Sequence, residues 1–417
     1  MSRLNDTCKY YSCQSAPATR CWGAATGIDL SCMRCAAPIR LARRGFASAI
    51  LAEALFFLFC PSSGATQGDW PIYRGQSSLC GVAGAVPAKP ALLWTFKTAG
   101  PVHSSAVIGG GRVFFGSDDG LVYALDFANG HELWHFKADA PMQAPPLLAA
   151  DSVFAGSAEG IFYALDASSG ALRWKFSTDG KIAASANTVT AGGQLRVLFG
   201  SYDFKLYCLE AATGHPAWTY ETANYINGAC AVNEGQIAFG GCDAILHVLS
   251  GMDGAKVKEI DAGAYVAASV ALADDRAYFG HYDNEFLCVD LRDGKIAWRY
   301  KDLDFPYMAA AAVTSDRVVF GGFDKALHCL NRADGHSLWK FATQGKIESS
   351  PVIAGNTVVC GSDDGRLYLV SLSDGQQLWS YDFGVAVGSS PAVTDEKIVI
   401  GCQDGNVYCF GPKKEKP

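Results

Sequence analysis

The pattern Phe-Gly-Ser-x-Asp-x-x-(Leu/Val)-Tyr returns eight times along the chain, anchored on Gly116, Gly156, Gly200, Gly240, Gly280, Gly321, Gly361 and Gly401. The intervals between these glycines are 40, 44, 40, 40, 41, 40 and 40 residues. A fixed period near 40, with short apolar runs between glycine-bounded turns, marks a β-propeller that spends one four-stranded blade per repeat. Helical solenoids share the period but not the composition, because the recurring segments here are β-branched and aromatic. In the first unit, residues 104–108 read as the inner strand, 112–116 as the second, 121–126 as the third and 132–136 as the outer one. Later inner strands are again built of Ala, Ser and Gly, as eight strands converging on one axis leave little room for side chains.

The eighth unit supplies strands at 389–393, 397–401 and 406–410, then ends in GPKKEKP without an outer strand. Conversely, LLWTF at 92–96 is an outer strand without a blade. Joining the two closes the ring and leaves no sheet edge at the seam. The expected fold is all-β: an eight-bladed propeller over 92–411, preceded by an extended lead-in at 66–91 and followed by a flexible tail at 412–417.

Residues 40–65 read as an export signal. Arg40, Arg43 and Arg44 precede an apolar run of about 15 residues, short of the roughly 20 needed for a membrane span. Ser63 and Ala65 are suitably small for cleavage before Thr66, although Glu53 interrupts the apolar run. Phe59 before Cys60 does not suit a lipoprotein signal, and RRGF resembles the twin-arginine form. Residues 1–39 are expected to be unstructured or a mis-assigned leader, with Met33 a natural start for the signal. The mature chain is expected to be periplasmic or extracellular, with no membrane span. A net charge of −7 and the lack of any basic run longer than a pair argue against nucleic-acid binding.

Features shared by all repeats are architectural. Position three after each repeat glycine is acidic (Asp119, Glu159, Asp203, Asp243, Asp283, Asp324, Asp364, Asp404), and a side chain capping the amides of its own turn accounts for this better than eight metal sites do. Trp94, Trp134, Trp174, Trp218, Trp298, Trp339 and Trp379 recur on outer strands as wedges between blades. In the fourth unit Val257 takes the expected tryptophan position, which predicts weaker docking there. Cys208, Cys288, Cys329 and Cys409 occupy one third-strand position in different blades, too far apart to bridge, and read as buried small apolar residues.

The stretch ALDASSGALRWKF (164–176) resembles the tryptophan-docking motif Ala-x-Asp-x-x-Thr-Gly-x-x-x-Trp of propellers named for pyrroloquinoline quinone, and the likeness extends over 92–410. DWPIYRG (69–75) resembles the lead-in of exported members. The resemblance implies either a quinoprotein dehydrogenase or a non-catalytic scaffold, a group that includes the lipoprotein subunit of the outer-membrane barrel-assembly machinery. Enzymes of the family stack the quinone between a tryptophan and a disulfide of adjacent cysteines, and bind calcium through Glu and Asn near a catalytic Asp. This sequence has no Cys-Cys pair, no Cys-x-x-Cys-His and no long inter-blade insertion. The reading is a scaffold for a protein, peptide or glycan, with no catalytic residue, metal or cofactor expected. The alternative is a quinone- and calcium-dependent alcohol or polymer-alcohol dehydrogenase.

Function on a propeller belongs to residues that break its symmetry. The column just ahead of the inner strands reads Pro101, Pro141, Lys181, Tyr225, Tyr265, Tyr307, Lys346, Ala386, which sets three tyrosines between two lysines. One step inward the column is His103, Gln143, Ala183, Asn227, Ala267, Ala309, Glu348, Gly388. Together these predict an aromatic crescent with a polar rim on one face. Tyr202, Tyr282 and Phe323, in the tight turns, predict a second docking patch on the opposite face. His103 and Glu348 read as a surface pair rather than acid–base machinery.

Overall fold

The computed structural model describes residues 68–413. The leader, the export signal and residues 414–417 of the tail lie outside the described residues. Eight sheets follow one another along the chain, and each repeats the strand order of blade 1: Val107–Gly109, Arg112–Gly116, Leu121–Asp126 and Glu132–Lys137. Apolar side chains of adjoining blades interleave between the sheets to form the core.

The seam closes as the sequence requires. Ala91–Lys97 pairs antiparallel with Asn406–Gly411, with Leu92 opposite Phe410 and Lys97 opposite Asn406. Inner strands are shorter and later than expected, Val107–Gly109 instead of 104–108 and Ala392–Thr394 instead of 389–393. The residues before them bond sideways, around the axis. Oγ of Ser105 accepts from the Ser390 amide at 2.8 Å, Oγ of Ser390 from Ser350 at 2.9 Å, and Oγ of Ser350 from Ala310 at 2.9 Å. Small side chains at the axis thus do more than avoid crowding, since the serines tie blade to blade.

Each outer-strand tryptophan docks on the next blade. Nε1 of Trp94, Trp134, Trp174, Trp298 and Trp339 donates to the carbonyls of Phe127, Ala167, Ala211, Arg332 and Leu372 respectively. The indole lies on a glycine in the left-handed region, where any side chain would collide: a Cβ on Gly335 (φ 74°) would fall 2.6 Å from the Trp298 ring. The fourth blade corrects the sequence reading. Lys258, not Val257, holds the tryptophan register, opposite Val248 as Trp134 is opposite Ala124. Val257 is exposed, while Lys258 Nζ donates to the Leu291 carbonyl, the acceptor equivalent to those used by the indoles, and Ile260 supplies the buried apolar surface. An amine and a branched side chain replace one indole, so this junction keeps its hydrogen bond.

The lead-in is more than an extended approach. It crosses the end of the ring where the inner strands finish, exchanging backbone bonds with Ile108 of blade 1 and then meeting Leu148, Val232, Leu272, Val313 and Ile353 of blades 2, 4, 5, 6 and 7. Ser77 also accepts from Asn187 of blade 3. Val82–Ala83 adds to blade 7 as a parallel strand. Arg74 is completely buried beneath this segment, with Nη1 donating to the Ser350 carbonyl at 2.9 Å.

Two glycine substitutions separate backbone strain from collision. A Cβ added at Gly110 (φ 59°) would meet nothing within 4 Å, whereas one at Gly335 faces the indole. In chemical denaturation Gly110→Ala is expected to cost about 1 kcal/mol for the left-handed backbone. Gly335→Ala should cost at least about 2 kcal/mol more because the ring must also move.

Candidate functional site

Two loops of each blade come together on the face opposite the lead-in. One enters the inner strand, and the other is the tight turn between the second and third strands. They are joined by a repeated backbone bond in which the turn amide donates to the entry loop: Asp118 to Pro101, Tyr202 to Lys181, Cys242 to Tyr225, Tyr282 to Tyr265, Phe323 to Pro306 and Asp363 to Lys346. The turn carboxylates reinforce the join. Asp119 accepts from the Leu121 amide at 3.0 Å, from Ala99 of the entry loop at 3.1 Å and from the Tyr123 hydroxyl at 2.9 Å, and Asp203 and Asp364 repeat this set.

This pairing overturns the two-face expectation. Tyr202, Tyr282 and Phe323 lie on the same face as Tyr225 and Tyr265. Tyr202 packs against Tyr225 with ring centroids 4.9 Å apart, and Lys346 Nζ sits 4.8 Å over the Phe323 ring. A second correction concerns Tyr307, which is 0% exposed. The bond that Tyr225 and Tyr265 accept is accepted in blade 6 by Pro306, so the true register is one residue earlier. The loop entering blade 6 carries the extra residue of the 41-residue interval, and this shift moves Tyr307 into the column of Val102, Ile226, Val266 and Ile347. Those side chains fill the space beside a repeat glycine of the preceding blade; Tyr307 Cβ would lie 2.5 Å from a Cβ on Gly280, as Val266 Cβ would from one on Gly240. Ala309 is likewise buried, and Met308 takes the mouth position.

The remaining polar residues are brought together on this face. Lys181 Nζ donates to Gln143 Oε1 at 2.9 Å, the Tyr202 hydroxyl donates to Asn227 Oδ1, and Asn227 Nδ2 donates to the Ala267 carbonyl at 3.1 Å. Lys346 pairs with Glu348 at 2.5 Å. His103 faces Asp118 at 3.5 Å rather than Glu348.

Sequence reasoning missed Phe204, Leu303 and Phe305, which are exposed as are Tyr225 (45%), Tyr265 (44%) and Tyr282 (42%); the Phe204 ring packs edge-on to Tyr225 with centroids 5.1 Å apart. A signal was available. The turn position that is glycine in blades 1, 2, 7 and 8 (Gly120, Gly160, Gly365, Gly405) holds Phe204, Ala244, Asn284 and Lys325 in blades 3 to 6, all at φ between 63° and 72°. A bulky residue is strained there. Phe204 and Lys325 bear this strain, Ala244 and Asn284 repeat the geometry without glycine, and the exposed aromatics occupy the same half of the ring.

The thiols carry no comparable signal. Cys208 and Cys288 are fully buried, and burial pushes their pKa up to about 12 and about 11. All nine described cysteines are unpaired. The described residues therefore do not form the tryptophan-over-disulfide sandwich that the resemblance to the family's enzymes implies: the outer-strand indoles pack toward neighbouring blades, and Trp70 is buried in the lead-in, bridging Ile108.

Fold and loop geometry define a PQQ-repeat β-propeller. The chain belongs to the family described as outer membrane protein assembly factor BamB, whose model matches residues 81–300 and 303–414. Among solved structures it is similar to BamB from Moraxella catarrhalis, with 18% identity and a TM-score of 0.65 over 79% of this chain and 99% of that one. It is also similar to the quinohemoprotein alcohol dehydrogenase from Comamonas testosteroni, with 13% identity and a TM-score of 0.72 over 85% and 82% of the two chains. A europium-containing methanol dehydrogenase gives 12% identity and a TM-score of 0.68 over 83% and 98%. These likenesses show the fold. No curated protein matches the sequence. No helix among the described residues is long and apolar enough to cross a membrane.

One turn on this face is expected to respond to pH. Where blades 1, 2, 3 and 7 have serine, blade 5 has His281, whose Nδ1 accepts from the Asp283 amide at 3.1 Å. Burial lowers the pKa of His281, so the folded state favours neutral imidazole. The associated stability is full above the unfolded-state value of about 6.5 and declines as pH falls through the folded value. Unfolding free energy should fall between pH 7 and pH 5, and His281→Ser should remove that part of the slope.

Proposed function

We propose that this chain is an exported, non-catalytic scaffold that binds a protein, peptide or glycan partner across blades 3 to 6. The observation that carries the reading is the coincidence of exposed aromatic side chains with the run of left-handed turns that lack glycine on those blades. Tyrosine offers a wide apolar face at small entropic cost and a hydroxyl for the partner. Lys181 and Lys346 bound the arc, and the firm pairing of entry loop to turn holds it in shape before binding, which lowers the ordering cost. Membership of a family named for outer-membrane protein assembly supports a protein partner and an envelope location. The dehydrogenase reading keeps the support of its fold neighbours, but its quinone sandwich has no counterpart among the described residues.

Capture of partners by cross-linking in the native envelope provides the assay. Tyr225→Ser combined with Tyr265→Ser should weaken capture by at least about tenfold, or roughly 1.4 kcal/mol. Both residues are exposed, so the melting temperature should scarcely change. Unchanged capture would remove the arc from the binding site. If the purified chain with added pyrroloquinoline quinone and calcium oxidises alcohols in a dye-linked assay, the scaffold reading gives way to the dehydrogenase.

A further inference from the structure

The residue four positions after each turn acid contacts that acid in most blades. At Tyr123, Tyr207, Tyr368 and Tyr408 the hydroxyl donates to the carboxylate, whereas that of Tyr163 in blade 2 does not. Blades 4 and 6 carry His247 and His328 instead, with Nε2 facing Asp243 and Asp324. Blade 6 goes further, because the loop whose extra residue buried Tyr307 also brings in a second carboxylate, Asp302. Ligand atoms of Asp302, Asp324 and His328 all lie within 4.8 Å of one another.

Three further features suit a cation. Nδ1 of His328 is 3.1 Å from the Tyr300 hydroxyl, which fixes the ring and points Nε2 at the carboxylates, as partners of metal-binding histidines do. The Tyr307 hydroxyl is buried and without a hydrogen-bond partner, and its ring lies edge-on to His328 with centroids 5.3 Å apart. Finally, Lys340 Nζ already places a positive charge here, on Asp302 and 3.7 Å from Asp324. That side chain is 37% exposed and can swing out to solvent, which opens an entry path.

We propose that Asp302, Asp324 and His328 Nε2 bind one divalent transition-metal ion, which takes the place of the Lys340 ammonium. One imidazole and two carboxylates without a thiolate suit zinc or manganese, and the site offers too few oxygens for calcium. Blade 4 is a built-in control, since its second acid, Glu259, approaches the far nitrogen of His247 at 4.0 Å and cannot share a ligand position with Asp243. The ion would pin the 301–306 loop, with Leu303 and Phe305, to the blade. The proposal does not depend on the partner-binding reading.

The test is titration of the metal-stripped full chain with cobalt(II), followed by visible absorption and calorimetry and competed with zinc. One equivalent is expected to bind. His328→Gln and Asp302→Asn should each abolish binding, and the exposed position of Asp302 keeps the second variant informative if the first fails to fold. Tyr300→Phe should weaken affinity by about tenfold or more. Lys340→Met should strengthen it, and His247→Gln should leave it unchanged. The proposal is overturned if the wild-type chain shows no saturable binding, if binding survives Asp302→Asn, or if alkylating the cysteines removes it.

Discussion

Everything in this molecule depends on the antiparallel pairing of Ala91–Lys97 with Asn406–Gly411. A linear array of blades would leave an open edge and an unmet tryptophan surface at each end. Here the first outer strand belongs to the last sheet, so Trp94 can dock on blade 1 as each later tryptophan docks on its successor. Ring closure and blade docking are therefore the same event viewed from two sides. The radial positions of the loops, and so the face they build, follow from that circle.

Much of this was legible in the sequence. The spacing of the repeat glycines, together with an orphan outer strand and an incomplete last unit, determines the blade number and the seam without any coordinate. Legibility failed where one residue changes meaning. Val257 and Lys258 are adjacent, and both the count of four residues from Gly254 and the strand register give the tryptophan position to the lysine, whose stem and amine imitate the body and N–H of an indole; the apolar character of Val257 is what misleads. Tyr307 failed for the same reason: one inserted loop residue turns a surface column into a core column. The lead-in failed differently. Its irregular backbone has no period, and its bonds reach partners far along the chain, which no local pattern can announce.

Placing the turns and the entry loops on one face changes the functional picture. Two weak patches become a single half-ring in which aromatic exposure and left-handed turns without glycine share the same blades. Other turns of the ring also carry non-glycine residues in the left-handed region, Asp151, Glu234, Asp274 and Glu396 among them, but at this one turn position the use of glycine divides the blades into two groups. The loss of that glycine in blades 3 to 6 sets them apart from blades 1, 2, 7 and 8, where Gly120, Gly160, Gly365 and Gly405 keep the relaxed turn. The asymmetry is one-sided, as a docking surface for a single elongated partner would be.

The segment that threads beneath the inner strands has a consequence for how such a chain can evolve. Open repeat arrays gain or lose units by duplication and deletion, since each unit touches only its neighbours. Residues 70–83 touch the inner strands of blades 1 to 7 in turn, with a spacing matched to this circumference. An added or missing unit would put that sequence of contacts out of step around the whole ring, so copy number is locked by a short stretch that is not itself a repeat.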